Sequence, residues 1–288
     1  MAKVDVGWLW HHRLSHVNIR SLQSLLKGDH AHGLTNVSFA KDCACSACIK
    51  GKLHETAHPT HDCHLLEEAL GAPSHGSLWS STFDSLGGRK YCLVIVDDYS
   101  RYTWVYFFKR KSQTQQTVMD FANEAQCQYE AKILMIRSDN GTEFKKYNLD
   151  EFPSDEGIKQ QYAARYNPKN GMVERKNRML MDAARTMMAE FKSPYNSWAE
   201  AINTACDASN WLYLHKGLNK TPYEIFTGNK PNLKYFRVFG CKCLILKKRV
   251  RLSKFEPRAQ EGILFGYATN SHAYCVLNKL NGLIEEIM

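Results

Sequence analysis

Apolar residues recur along this chain in two rhythms. The first is strand-like. Tyr91-Cys92-Leu93-Val94-Ile95-Val96 is a continuous apolar run bounded by Gly87-Gly88 and by the turn Asp97-Asp98-Tyr99-Ser100-Arg101, the pattern of a short buried strand. Tyr102–Phe108 follows, aromatic and β-branched, so the two runs predict a hairpin. A third run, Ile133-Leu134-Met135-Ile136, stops at Ser138-Asp139-Asn140-Gly141. That places Asp139 at the carboxyl end of a strand, where open α/β sheets present their ligands. The second rhythm is helical. It covers Ser112–Tyr129, with Val118, Phe121, Ala122 and Ala125 on one stripe and Ser112 as cap. It returns in Ser197–Leu214 with Trp198, Ala201, Ala205, Ala208 and Leu212, and Pro222–Phe226 reads as a short helix opened by proline. Hairpin, helix, strand and helix make a mixed sheet, hence the α/β class. The last sixty residues revert to short strands (FRVFG, CLILKK, GILFGY, AYCVLN, LIEEIM), a pattern that predicts a small β-barrel.

The helix expected after Pro168 and Gly171 carries two different faces. Met172, Val173, Met179, Leu180, Ala183, Ala184, Met187 and Phe191 form the buried stripe, which Lys176 interrupts and must snorkel past. Glu174, Asn177, Arg178, Met181 and Arg185 share a narrow arc on the other side. One carboxylate beside two guanidiniums suits a site that holds a metal and an anionic backbone together. A plain solvated face with intrahelical pairs gives the same pattern.

Charge narrows the partners. The chain has 288 residues and a net charge of +9, which favours a polyanion such as nucleic acid. No apolar run approaches the roughly 20 residues of a membrane span. Ten cysteines in this length do not suggest a disulfide scaffold and read as thiols and metal ligands in a reducing, intracellular compartment.

The first fifty residues supply a metal pattern. His11 and His16 lie in LWHHRLSH, and Cys45 and Cys48 form a C-x₂-C pair. Paired nitrogen and sulfur donors at such spacings suit tetrahedral Zn²⁺, with His12 and Cys43 as alternative ligands. Ile19, Leu22, Leu25 and Leu26 between them predict a short helix. So small a segment would lean on the metal for stability. His54-Glu55-Thr56-Ala57-His58 matches the zinc-protease pattern, but Pro59 directly after it disfavours the helix that pattern requires.

Taken in order, LWHHRLSH…CSACIKGK, SLGGRKYCLVIVDDYSRYTWVYFFKRK, RSDNGTEF, YNPKNGMVERKNR, SWAEAINTAC, KTPYEIFTGNKPN and YFRVFGC resemble the integrase region of copia-type LTR retrotransposon Pol polyproteins. The resemblance covers nearly the whole chain. It implies an HHCC zinc-binding pre-integrase module over residues 1–55, then a linker and degraded first strand over 56–80. An RNase H-like core with a mixed five-stranded sheet would span 81–215, and a C-terminal helix and small β-barrel 216–288. It further implies a D,D-35-E triad binding Mg²⁺ or Mn²⁺, and 3′ processing and strand transfer on double-stranded DNA, both element ends and target. Homo-oligomeric assembly and a nuclear or cytoplasmic location go with it. Residue by residue, the zinc ligands match His11, His16, Cys45 and Cys48. The second and third acids match Asp139 and Glu174. The DNA contact one helical turn on matches Arg178, with Lys176, Asn177 and Arg185 on the same helix.

The first acid has no match. His75-Gly76-Ser77-Leu78-Trp79-Ser80-Ser81 is the best fit to the family's first strand and puts Ser77 in the aspartate's place. A second fit, Leu65 to Pro73, puts Ala69 there. Gly71, Pro73 and Gly76 also suit a central strand poorly. Glu67 and Glu68 are the remaining carboxylates open as substitutes, and Asp84, Asp97 and Asp98 fall out of register. The expectation is an integrase-like protein with impaired chemistry. The alternatives are a non-catalytic DNA-binding relic and an RNase H-like nuclease with a substitute acid.

Overall fold

The computed structural model describes residues 6–34, 37, 45–52, 74–129, 135–138, 159–162, 171–247, 256–268 and 273–288. Asp139, Cys43, Glu67, Glu68 and the 54–58 pattern lie outside them. The chain divides into two compact units. One is Leu53–Met179 with Ile225–Gly228. The other gathers Met1–Lys52, Leu180–Glu224 and Asn229–Met288.

The first unit is built on a five-stranded mixed sheet of order β3-β2-β1-β4-β5. β1 is Ser74–Ser80, β2 Tyr91–Asp97, β3 Thr103–Phe108, β4 Met135–Ser138 and β5 Lys159–Tyr162. The first three strands are antiparallel neighbours, whereas β4 runs parallel to both β1 and β5. This is the RNase H-like arrangement expected from the motifs. β2 and β3 form the predicted hairpin. Asp97 closes its turn by accepting from the Ser100 amide at 2.8 Å, while Asp98 pairs with Arg101 at 2.5 Å. Helix α4, Thr114–Tyr129, covers the hairpin with Val118, Phe121, Ala122 and Ala125 against Leu93, Ile95 and Phe108. Its approach is capped by Gln113, whose side chain accepts from the Arg110 amide at 3.0 Å, rather than by Ser112.

β1 is central in spite of Gly76, contrary to the sequence expectation. It pairs with β2 along all seven residues and with β4 on its other edge. Satisfying backbone groups on both sides outweighs the weak strand preference of a Ser- and Gly-rich segment.

The second unit joins the two ends of the chain. α1 is Val6–Arg13, α2 Ile19–Lys27 and α3 Ser46–Gly51. α2 is capped by Asn18, whose side chain accepts from the Arg20 amide at 2.9 Å, and it ends at Gly28. Its Leu22 and Leu25 are fully buried with Trp10, Leu14, Leu212, Leu233, Phe236 and Tyr267. The N-terminal module therefore has no separate core. It shares one with helix α6, Trp198–Leu212, and with the segment after it. Burying the five leucines Leu14, Leu22, Leu25, Leu212 and Leu233 contributes roughly 8–15 kcal/mol before entropy is counted.

Helix α5 is Gly171–Phe191 and helix α7 Pro222–Thr227. The last part of the chain forms an open four-stranded antiparallel sheet, β6 Lys242–Leu246, β7 Ala259–Tyr267, β8 Tyr274–Asn278 and β9 Ile284–Ile287. No strand pairing closes it into a barrel among the described residues. FRVFG is not a strand either. Phe236 and Phe239 are buried, and Gly240 turns the chain at φ +81°.

Candidate metal centre

The candidate centre is assembled by a tight turn between α1 and α2. Ser15 and His16 both adopt positive φ, 54° and 55°, a left-handed conformation uncommon for these residues. The turn is held by the His16 amide donating to the His11 carbonyl at 2.9 Å. It brings two imidazoles five residues apart to 5.0 Å between ring centres. α3 then starts at the C-x₂-C, with Cys45 preceding its first residue and Cys48 one turn in.

The donor atoms of His11, His16, Cys45 and Cys48 all lie within 4.8 Å of one another. Cys48 Sγ is 3.4 Å from His11 Nε2, and both sulfurs are 3.6 Å from His16 Nδ1. A tetrahedron with Zn–S near 2.3 Å and Zn–N near 2.1 Å has edges of about 3.4–3.8 Å. The donor set and its spacing thus fit zinc. The structure brings together the four residues picked from the sequence and favours His11 over His12.

Outside the four lie groups that the sequence did not reveal. His11 Nδ1 is 2.8 Å from the Val17 carbonyl, which orients the ring with Nε2 toward the sulfurs. His16 Nε2 is 2.8 Å from Glu190 Oε2, and His12 Nδ1 pairs with the other oxygen of the same carboxylate. Lys52 Nζ donates to the His16 carbonyl at 2.7 Å. Glu190 has no motif of its own; its one signal is an acid set between Met187 and Phe191 at the margin of an apolar stripe.

The electrostatics match metal-ready histidines. Burial pushes the His11 ring down to about 4, opposed by its bond to Val17. Burial also lowers His16, against the pull of Glu190. Both are therefore neutral near pH 7 and able to ligate. Burial pushes the Cys48 thiol up to about 11, so a metal must displace its proton. Burial works against the charged form of Glu190, yet the bonds from His12 and His16 outweigh it and hold the carboxyl at about 2.

Arg185 and Thr186 of α5 also meet the module. Arg185 Nη1 donates to the Gly51 carbonyl at 3.0 Å and pairs with Asp182 at 3.1 Å. A Cβ on Gly51 would come within 2.7 Å of the Thr186 Cα, so only glycine lets α3 lie this close.

The strand end is a second place of interest. β4 ends at Ser138, and Gly76 of β1 is its partner. The next position of β1 is Ser77. Among the described residues β1 contains no carboxylate. Asp97 pairs with Ser74, at the opposite end of β1, and Asp84 lies in the exposed loop beyond β1. Glu174 stands in the first turn of α5 and is exposed, as are Arg178 and Arg185, whereas Lys176 and Asn177 are half-buried. The described residues therefore do not assemble the acids of a two-metal magnesium site.

Residues 1–53 match the GAG-pre-integrase domain, 76–168 the integrase core domain and 241–286 the retroviral polymerase SH3-like domain. The chain is similar to the integrase regions of copia-type retrotransposon Pol polyproteins. It is 28% identical over 270 residues to the retrovirus-related Pol polyprotein from transposon TNT 1-94 of Nicotiana tabacum, covering 92% of this chain and 20% of that protein. It is likewise 28% identical to the Pol polyprotein from transposon RE2 of Arabidopsis thaliana, covering 93% of this chain and 18% of that protein. The chain thus spans about a fifth of the length of these relatives. Among solved structures, the HTLV-2 integrase catalytic core domain in complex with magnesium aligns with a TM-score of 0.42 and 22% identity, covering 54% of this chain and 96% of that one. No helix among the described residues is long and apolar enough to cross a membrane.

Proposed function

We propose that this integrase region binds double-stranded DNA and belongs to the 3′-processing and strand-transfer class, with its own catalysis impaired by loss of the first acid. The register of β1 carries the reading: Ser77 follows the residue that pairs with Ser138, and so stands one step past the last described residue of β4. Asp139 comes next in the chain after Ser138, and Glu174 opens α5. Those two would supply the remaining acids for Mg²⁺ or Mn²⁺. Two-metal phosphoryl transfer needs carboxylates to fix both ions around the scissile phosphate. A missing contact of roughly 4 kcal/mol at an effective dielectric near 20 corresponds to about three decades of rate.

The +9 charge and the basic arc of α5 support the DNA assignment, with Arg178 the leading contact and Lys176, Asn177 and Arg185 beside it. Zn²⁺ held by His11, His16, Cys45 and Cys48 would be structural. A strand-transfer assay with Mg²⁺ or Mn²⁺, comparing the wild type with Asp139→Asn, tests the catalytic reading. Equal and near-background rates are expected, together with DNA affinity that falls steeply with salt. Robust wild-type turnover abolished by the substitution would refute the impairment. Affinity indifferent to salt would remove the DNA assignment.

A further inference from the structure

We propose that Glu190 is a positioning residue for the zinc centre, one carboxylate that fixes two imidazoles at once. The inference rests on the zinc reading above and adds to it a residue outside the four ligands. Glu190 Oε2 lies 2.8 Å from His16 Nε2, and Oε1 takes the neighbouring His12 Nδ1. The His16 side chain is 0% exposed. Its other nitrogen, Nδ1, faces Cys45 and Cys48 at 3.6 Å. A single tautomer satisfies both sides: Nε2–H donates to Glu190, and the Nδ1 lone pair points at the metal. Carboxylates placed this way behind a ligating histidine lock the ring and raise its basicity.

His12, His16 and Glu190 also form a group that could be taken for a metal site of its own. That reading requires His16 to give up both ring protons and bridge two ions. The hydrogen-bonded reading needs neither. It also explains why His12 sits beside the centre without entering it. Glu190 belongs to the same end of α5 as Arg185 and Thr186, which meet Gly51. Three contacts of one helix thus converge on the module, and Glu190 is the one that reaches a ligand.

The test is zinc affinity of the full chain by chelator competition, with Co²⁺ absorption as the spectroscopic readout. Glu190→Gln puts an N–H where one oxygen accepts, so one imidazole N–H meets a donor. Zinc binding is expected to weaken about 10–100-fold, and the Co²⁺ band to shift. His12→Gln is expected to stay close to wild type with one zinc per chain, and Cys48→Ala to lose the metal. Wild-type affinity and an unchanged Co²⁺ band in Glu190→Gln would overturn the proposal while leaving the zinc site standing. Two zinc ions per chain, falling to one in His12→Gln, would overturn it in favour of the second site. A wild type that takes up no zinc would overturn the underlying reading as well. Should Glu190→Gln fail to fold, ¹⁵N NMR of the wild-type zinc form decides: a protonated Nε2 on His16 supports the proposal, and a protonated Nδ1 overturns it.

Discussion

The metal centre and the carboxyl end of β4 differ in what holds them. At the first, each histidine has a second partner behind it, Val17 for His11 and Glu190 for His16, and the surrounding leucines belong to a core shared with α6. At the second, β1 contains no carboxylate, and Ser77 follows the residue that pairs with Ser138. The contrast follows from what each group does for folding. Zinc ligands stabilise the chain that carries them. Clustered carboxylates repel one another and destabilise it. A metal centre can therefore be kept by stability alone, whereas an acid triad is kept only by its chemistry.

The sharpest way to break this contrast is to remove the metal. Structural zinc is worth on the order of 10 kcal/mol in peptides with no other core. Here Leu14, Leu22 and Leu25 pack on Leu212, Phe236 and Tyr267, so part of that stability is already present. Excess chelator, or Cys48→Ala, is expected to lower the unfolding temperature strongly while leaving a cooperative transition. Thermal unfolding followed by circular dichroism reads it. An unchanged transition would mean that the four side chains hold no structural ion.

The next test acts on the other region. Ser77→Asp adds a carboxylate at the position the register singles out, and under the proposed function it raises metal-dependent strand transfer by up to about three decades. The geometry of the strand limits the gain. A rate that does not move, in a protein whose zinc content and unfolding are unchanged, would show that the missing acid is not what limits the chemistry.

How much of this was legible in the sequence depended on whether the signal was local. β2, β3, α4, α5 and α6 were readable because apolar residues repeat within each one. The four side chains that the structure gathers, His11, His16, Cys45 and Cys48, were readable because they come in two short-range pairs. β1 was legible only through the resemblance, which fitted residues 75–81 to a first strand: SHGSLWS has no period, and its strand state is imposed by β2 and β4. β5 was missed for the same reason, since KQQY carries no apolar alternation. FRVFG was misread as a strand because its phenylalanines are apolar for a different purpose: Phe236 plugs the core between α2, α6 and Tyr267, and Phe239 stacks on Phe265. The shared core itself was invisible, because it joins residues about two hundred positions apart. Glu190 was missed likewise, 174 positions from the histidine it holds.

A smaller effect asks how far the shared core, rather than the metal, sets stability. Asp207 stands in α6 next to buried Ala208 and Cys206, and burial pushes its carboxyl from 3.8 up to about 7. The folded state therefore holds this proton across a window in which the unfolded chain has released it. Stability is full below 3.8, declines as pH rises toward 7 and stays low above. The whole shift would amount to about 4 kcal/mol; Asp207 keeps some solvent contact, so about 2 kcal/mol is expected. Asp207→Asn should stabilise the protein at pH 8 and do little at pH 4. Denaturant unfolding at the two pH values measures it, and an equal effect at both would rule out the buried acid as the cause.

The smallest effect separates two arginines on one helix face. Arg178 and Arg185 lie two turns apart on α5, and the sequence gives them the same expected role. The structure gives Arg185 other work, donating to Gly51 and pairing with Asp182, while Arg178 is exposed. Arg178→Ala is expected to weaken DNA binding evenly across sequences and to reduce the salt slope by about one. Arg185→Ala is expected to cost about 1 kcal/mol of stability, the worth of one hydrogen bond, with little change in the slope. Fluorescence anisotropy across a salt series, run beside thermal unfolding, distinguishes them. Equal slopes with equal stabilities in the two variants would erase the distinction, because a hydrogen bond to the zinc module and a phosphate contact leave different marks in these two measurements.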